Sequence, residues 1–265
     1  MITGNTQAPL LNGCTVQALR NTRFSRRLRM HGSRPDLYQL RQLILTAVVT
    51  AAAIAIISGV IFRPEADSFS QSAATVVAIA KMDAGKPPMG FRFARTGQGG
   101  PAQWIVVDDA TSSAGRVIEQ SSTDRTDYRF PLAILEQFVA KNLEISLRFK
   151  PVAGRVDQAG GIAVRVVDTD NYYVVRANAL EDNVRFYRVV KGRREQLDGV
   201  NTKVAANQWH SLGLKAQGDR FTIEFDGKTL FTTTDKTFAE AGKIALWTKS
   251  DSVTRFDQIA IDVLP

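Results

Sequence analysis

The sequence predicts an all-β protein, an antiparallel jelly roll or β-sandwich, preceded by one membrane-spanning helix. Three observations predict it. From Trp104 to the C-terminus, short segments alternate apolar and polar residues, with turn residues between them. Asp226-Gly227 joins two such segments as a hairpin turn. Upstream, the run 43–62 (LILTAVVTAAAIAIISGVIF) carries no charge, and about 20 such residues cross a bilayer core as a helix.

The N-terminal part comes first. Residues 1–42 contain Arg20, Arg23, Arg26, Arg27, Arg29, Arg34 and Arg41 against a single acid, Asp36. Such a flank stays on the cytoplasmic side, so everything after Phe62 is expected outside. Most of the formal net charge of +8 resides in this flank. The basic balance is therefore a topology signal, with contact to anionic lipid, and no nucleic-acid partner is expected. Localisation in the cell (inner) membrane follows, by a single pass with the folded part periplasmic or extracellular. The alternative is a cleaved signal peptide starting at Met30, with the folded part secreted. Residues 63–86 read as a polar stalk or linker, and 87–265 as the folded domain. The single cysteine, Cys14, precedes the span, so the exported part has neither disulfide nor thiol nucleophile. With His31 in the tail, His210 stands alone in the domain, which excludes a multi-histidine metal site.

Within the domain, "GKPPMGFRFARTGQGGPAQW" is a Pro/Gly-rich lead-in of loop or edge, and its "GQGG" a flexible turn. Residues 131–142 (PLAILEQFVAKN) are the one helix candidate, because Pro131 suits a first turn and Ile134, Leu135 and Phe138 share a face. Strands follow. Leu143, Ile145, Leu147 and Phe149 alternate with polar residues, as do Ile162, Val164 and Val166, then Phe221, Ile223 and Phe225. The last strand buries Ile259, Ile261 and Val263.

From about Pro87 onward the chain resembles the concanavalin A-like (laminin-G-like) jelly roll, and more narrowly the bacterial 3-keto-disaccharide hydrolase-like families. The resemblance is carried by "GFRFARTGQGGPAQWIVVDD", "GRVIEQ", "RFKPVAGRVDQAGGIAVRVVDTDNYYVVRANALEDNVRFYRVVKGRRE", "NQWHSLGLKAQGDRFTIEFDGKTLF" and "GKIALWTKSDSVTRFDQIAI". It implies carbohydrate as the ligand class. One such fold hosts both binders and hydrolases, so activity needs a site.

Strand parity locates that site. In "DNYYVVRANALEDNVRFYRVV" one row is apolar, and the other gathers Tyr172, Arg176, Asn178, Arg185 and Tyr187. Arg165 joins this row, and Trp247 and Lys249 join it if their strand lies in the same sheet. Arg and Asn make fixed hydrogen bonds to hydroxyls or carboxylates, and Trp or Tyr offers a plate to a sugar ring. The expected ligand-binding residues are therefore Arg165, Tyr172, Arg176, Asn178, Arg185, Tyr187, Trp247 and Lys249, with Trp247 or Tyr187 stacking. A solvated sheet face, with few acids among its arginines, is the alternative.

Asp157 and Asp251 are the candidate proton-transfer residues should the domain be a glycoside hydrolase acting on a disaccharide or 3-keto-glycoside. Glu181 and Asp182 read as an ordinary turn. "VDTDN" offers Asp168 and Asp170 to Ca²⁺, although a turn explains it as well, and no other cofactor is expected. His210 reads as a hydrogen-bonded core residue, and no nucleophile elbow occurs. Three functions remain: a membrane-anchored lectin-like binder, a glycoside hydrolase, or a protein-interaction module of the envelope.

Overall fold

A computed structural model describes residues 74–265. The basic tail and the expected span 43–62 lie outside the described residues, among which no helix is long and apolar enough to cross a membrane. The chain opens with β1 (Thr75–Val76), a 3-10 turn (Ile79–Lys81), β2 (Phe91–Gly97), β3 (Trp104–Asp108) and β4 (Arg116–Gln120). There follow β5 (Arg129–Ala140), β6 (Leu143–Ala153), β7 (Ala159–Asp168), β8 (Asn171–Asn178), β9 (Asn183–Val190) and β10 (Arg193–Asn201). The last five are β11 (His210–Gln217), β12 (Arg220–Phe225), β13 (Lys228–Thr234), β14 (Gly242–Trp247) and β15 (Val253–Val263).

These strands form two antiparallel sheets. One has eight strands in the order β13-β12-β11-β6-β15-β4-β3, with β1 also paired to β15. The other has seven, in the order β10-β9-β8-β7-β14-β5-β2. Consecutive strands often pair, yet β6 lies between β11 and β15, and β14 between β7 and β5. Such crossings between sheets are what a jelly roll requires. The core fills the space between the sheets with Ile145, Leu147, Phe149, Val175, Phe186, Phe221, Ile223, Leu246 and Phe256.

The alternation read from the sequence sets these registers. Tyr173, Val175 and Ala177 pack in the core, as do Val184 and Phe186, and Ile244 and Leu246. Asp226 and Gly227 both adopt positive φ, 47° and 73°, as a two-residue hairpin turn needs. His210 is buried in the wall, with Nδ1 2.8 Å from Asp226 and Nε2 3.0 Å from the Ala205 carbonyl.

Two expectations fail. Residues 131–142 are not helical; 131–140 belong to β5, paired with both β2 and β14, and 141–142 form the bend into β6. Ala133 and Leu135 face the core, whereas Phe130, Leu132 and Ile134 join a second apolar cluster on the sheet's other face. A strand buried on both faces loses its alternation and imitates one apolar helix face. The expected stalk also ends early. β1 pairs with β15, and Ile79 and Met82 are buried in the core, so residues 75–86 belong to the sandwich.

Candidate functional site

The seven-stranded sheet carries its second apolar cluster on the face away from the core: Phe130, Leu132, Tyr172, Val174, Tyr187, Val189 and Trp247. Parity therefore put Tyr172, Tyr187 and Trp247 on one common face, and β14 does lie in this sheet beside β7. Their exposure is another matter. Tyr172 and Trp247 are fully buried, as is Asn178, and Tyr187 retains only 7% of its surface. Trp247 stacks on Phe130 with centroids 5.3 Å apart and donates its indole N–H to the Tyr172 hydroxyl. That hydroxyl also bonds Thr96, and burial pushes its pKa up to about 12. Trp247 and Tyr187 are the floor of the site, not the free stacking plates expected.

Above this floor lies Arg194. Its guanidinium sits 4.4 Å from the Tyr187 ring, 4.9 Å from Phe130 and 5.9 Å from Trp247, within cation–π range of all three. Tyr128 meets Phe130 edge-on at 4.8 Å. The Tyr128 hydroxyl donates to the Gly192 carbonyl and accepts the Arg194 backbone N–H, which fixes the ring against the start of β10. Tyr128 is 42% exposed, so it is the ring of this group that a ligand can reach.

Beside the rings runs a chain of alternating charges. Lys249 lies 2.7 Å from Asp127 and 3.0 Å from Asp157. Asn178 donates to Asp157 at 2.9 Å. Arg176 donates to Glu181 at 2.7 Å, to the Tyr187 hydroxyl at 3.1 Å and to Asn183, while its Nε has no partner. Burial raises the pKa of Asp157, outweighing the attraction of Lys249 and Arg176. Burial also opposes the Lys249 ammonium, but its bonds to Asp127 and Asp157 hold its pKa above the ordinary value. Asp127 is lowered, chiefly by its bond to Lys249.

The loops that bring these groups together are tightly specified. Asp251 accepts the backbone N–H groups of Arg155, Val156 and Asp157, so it holds the loop that presents Asp157. Burial pushes the Asp251 carboxyl up, yet those bonds prevail and its pKa falls. Three backbone donors favour the ionised carboxylate, so Asp251 serves here as the anchor of that loop. Gly154 closes the same loop at φ 150°, where a Cβ would stand 1.9 Å from the Asp157 carbonyl oxygen. Next to Lys249, Ser250 adopts φ 51°, a left-handed conformation costing on the order of 1 kcal/mol. Arg129 maintains it, accepting the Ser250 N–H on its own carbonyl and donating Nη1 to the Ser250 carbonyl.

Other expected residues stand elsewhere. Arg165 adopts φ 50° at a register shift between β7 and β8, and donates to the carbonyls of Lys141, Phe238 and Gly218. Its guanidinium lies over the core residue Phe221. A bulge resets the alternation, so parity fails there and Arg165 is a structural tie. Arg185 is on the expected face but half-exposed near the β10 edge, where it bonds Asn201. Asp168 forms a turn, both its oxygens accepting from Asn171 and one from the Asp170 N–H. Among the described residues no three His, Cys, Asp or Glu converge as metal ligands, at Asp168 and Asp170 or elsewhere.

Sequence reasoning missed Asp127, Tyr128, Arg194 and the role of Glu181. A signal existed for Tyr128, which continues the alternation of Phe130, Leu132 and Ile134. None marked Arg194, which sits in the charge run "KGRRE". "GQGG" is anchored, the Gly100 carbonyl accepting from both Arg95 and Arg129.

Residues 141–264 match the family model described as the galactocerebrosidase C-terminal lectin domain, a span holding β6 to β15 but not Asp127 or Tyr128. No curated protein matches the chain. In structure the chain is similar to the carbohydrate-binding module CBM66 from Bacillus subtilis, with TM-score 0.50 and 20% identity over 64% of this chain and 94% of that one. It is also similar to Bacillus licheniformis β-glucanase, with TM-score 0.47 and 14% identity over 73% and 99%. A Bacillus subtilis protein of unknown function with a galectin-like fold gives TM-score 0.46 and 7% identity over 64% and 88%. The antiparallel two-sheet jelly-roll sandwich expected from the sequence is the fold that the chain has.

Proposed function

We propose that the domain binds carbohydrate, as a lectin-like module, at the Tyr128–Arg194 margin of the seven-stranded sheet. One observation carries this reading. An exposed, hydroxyl-anchored aromatic ring adjoins a fixed row of hydrogen-bonding groups, Asp127, Lys249, Arg176 and Glu181. A sugar presents a C–H face to the first and hydroxyls to the second. The match to a lectin-domain family over residues 141–264 supports the ligand class. A glycan array tests it. The chain is expected to retain at least one glycan, and Tyr128→Ala to weaken that binding roughly tenfold, the worth of one stacked ring. An array with no signal above background contradicts the reading.

A second reading, glycoside hydrolysis, is favoured by the opposed environments of Asp157 and Asp127 about one ammonium. One carboxyl has a raised pKa and the other a lowered one, the division of labour that acid and nucleophile need. Reducing sugar released during the same incubation, and lost in Asp157→Asn, would favour it over binding alone. A protein-interaction module instead predicts no glycan signal and a co-purifying envelope partner.

The charge-free run 43–62 behind its arginine flank supports display of this domain outside the membrane from a single anchor. The chain is expected to stay with membranes through alkaline carbonate washing. Release into the supernatant would sink the anchor.

A further inference from the structure

At the start of β10, Arg194 pairs with Val189 of β9, a member of the outer apolar cluster. Directly opposed residues share a face of the sheet, so the Arg194 side chain turns over the rings and away from the core. The rings beneath attract the cation through the flat face of its guanidinium and supply no acceptor for its N–H edge. Among the described residues no other group supplies one. Arg194 Nη1 is enclosed without a partner, whereas Nε and Nη2, which have none either, are not enclosed. The half-buried side chain therefore leaves its Nε/Nη2 edge open. The neighbouring charges are committed elsewhere. Lys249 holds Asp127 and Asp157, Arg176 holds Glu181, and Arg129 lies beside Asp124. Glu195, next in sequence, is bound to Arg188 at 2.9 Å. Arg194 is the cation of this margin that no carboxylate answers.

We propose that the glycan held at the Tyr128–Arg194 margin is acidic, and that the carboxylate of a uronic acid residue pairs with the Arg194 guanidinium. The inference rests on the reading above, that this margin binds sugar, and adds the class of sugar. Tyr128 and Arg194 adjoin the same ring, Phe130, at 4.8 and 4.9 Å. The Tyr128 hydroxyl accepts the backbone N–H of Arg194 itself. The exposed ring and the open guanidinium edge are thus held as neighbours, and one sugar residue lying on the first reaches the second. A uronate carries its carboxylate at the rim of the sugar ring, not on its face. The two oxygens of that group match the fork of Nε and Nη2, the bidentate pairing that arginine favours. Asp127 stands close enough to feel the Arg194 charge, so the margin suits one planar monoanion and not a densely sulfated chain.

The test measures affinities of the full chain for hexamers of α-1,4-galacturonate, β-1,4-mannuronate and β-1,4-glucuronate. Each is compared with the same oligomer whose carboxylates are reduced to hydroxymethyl groups, and a sulfated galactan hexamer is included. At least one uronate is expected to bind roughly 10- to 100-fold more tightly than its reduced form, as hydrogen bonds to a charged group allow. Arg194→Met, which keeps an apolar cover over the rings, should bring that ratio to about one. The wild-type ratio needs no variant, so it stands even if Arg194→Met fails to fold. Reduced oligomers that bind as tightly as the acids, with binding still weakened by Tyr128→Ala, overturn the acidic ligand and leave the sugar site standing. So does an array on which only neutral glycans are retained. A preference for uronate that survives in Arg194→Met assigns the carboxylate to another cation and overturns the pairing. Tighter binding of the sulfated hexamer than of any uronate overturns the carboxylate. Absence of all glycan binding overturns both readings.

Discussion

Arg129→Ala is expected to lower stability by about 3–5 kcal/mol, as loss of a buried, fully bonded charge does. At about 2–4 °C per kcal/mol for a domain of this size, thermal unfolding should begin roughly 10 °C earlier. The reason lies in what Arg129 holds. Fully buried at the head of β5, it donates to the carbonyls of Gly100, Pro101 and Ser250 and to the Ser122 hydroxyl. Asp124 lies 3.5 Å away and balances its charge. Truncation leaves the carbonyl of the fully buried Ser250 without its donor and frees Ser250 from its left-handed backbone. Lys249 and Asp251, on either side, lose their registration, so glycan retention should fall with stability. Arg129→Lys should not rescue the variant, because one ammonium cannot reproduce a planar fork aimed at three carbonyls. An unchanged melting temperature in Arg129→Ala would show that these bonds are dispensable.

Lys249→Met is expected to abolish glycan retention and to destabilise the domain in a pH-dependent way. Lys249 is the one cation bonded to both Asp127 and Asp157, and Asp157 has only 2% of its side chain exposed. Without the ammonium, the Asp157 carboxylate stands buried with Asn178 as its remaining hydrogen-bond partner. Such a loss costs about 3–5 kcal/mol when the carboxyl is ionised. Burial already raises the Asp157 pKa above its ordinary 3.8, so the folded state holds this proton more firmly than the unfolded state does. A raised carboxyl contributes stability below 3.8 and loses it as pH climbs through the folded value. The variant's deficit should therefore be smallest at acid pH, where the carboxyl is protonated in both proteins, and grow as pH rises. Thermal melts of both proteins from acid to neutral pH check it, and a deficit independent of pH would assign the loss to packing instead.

How far the fold was legible depends on whether a strand has one wet face. β6, β11 and β12 do, and their alternation gave correct registers. β8, β9 and β14 were sorted correctly into two rows, yet the supposed wet row proved to be a second apolar cluster. Alternation reports which residues share a face, not what covers it. β5 has no wet face over its first half, so its periodicity pointed to a helix. Arg165 was misplaced because a one-residue bulge is invisible to parity. Of the candidate site, Arg176, Asn178, Lys249 and Asp157 are legible in the sequence, while Asp127, Tyr128 and Arg194 are not. These three join the site through pairings distant in sequence: Asp127 through Lys249, Tyr128 through Gly192, and Arg194 through three rings on different strands. Glu181 was set aside as turn chemistry, but it answers Arg176.

The central claim is that ligand sits at the Tyr128–Arg194 margin. Hydroxyl-radical footprinting of the full chain, with and without the glycan retained on the array, tests it most directly. Tyr128 is exposed enough to be oxidised in the free protein. The account predicts that saturating glycan suppresses oxidation at Tyr128, while Trp209, over Arg148 and Lys150 of the eight-stranded sheet, is unaffected. Undiminished oxidation of Tyr128 together with protection of Trp209 would place the ligand on the opposite sheet and contradict it.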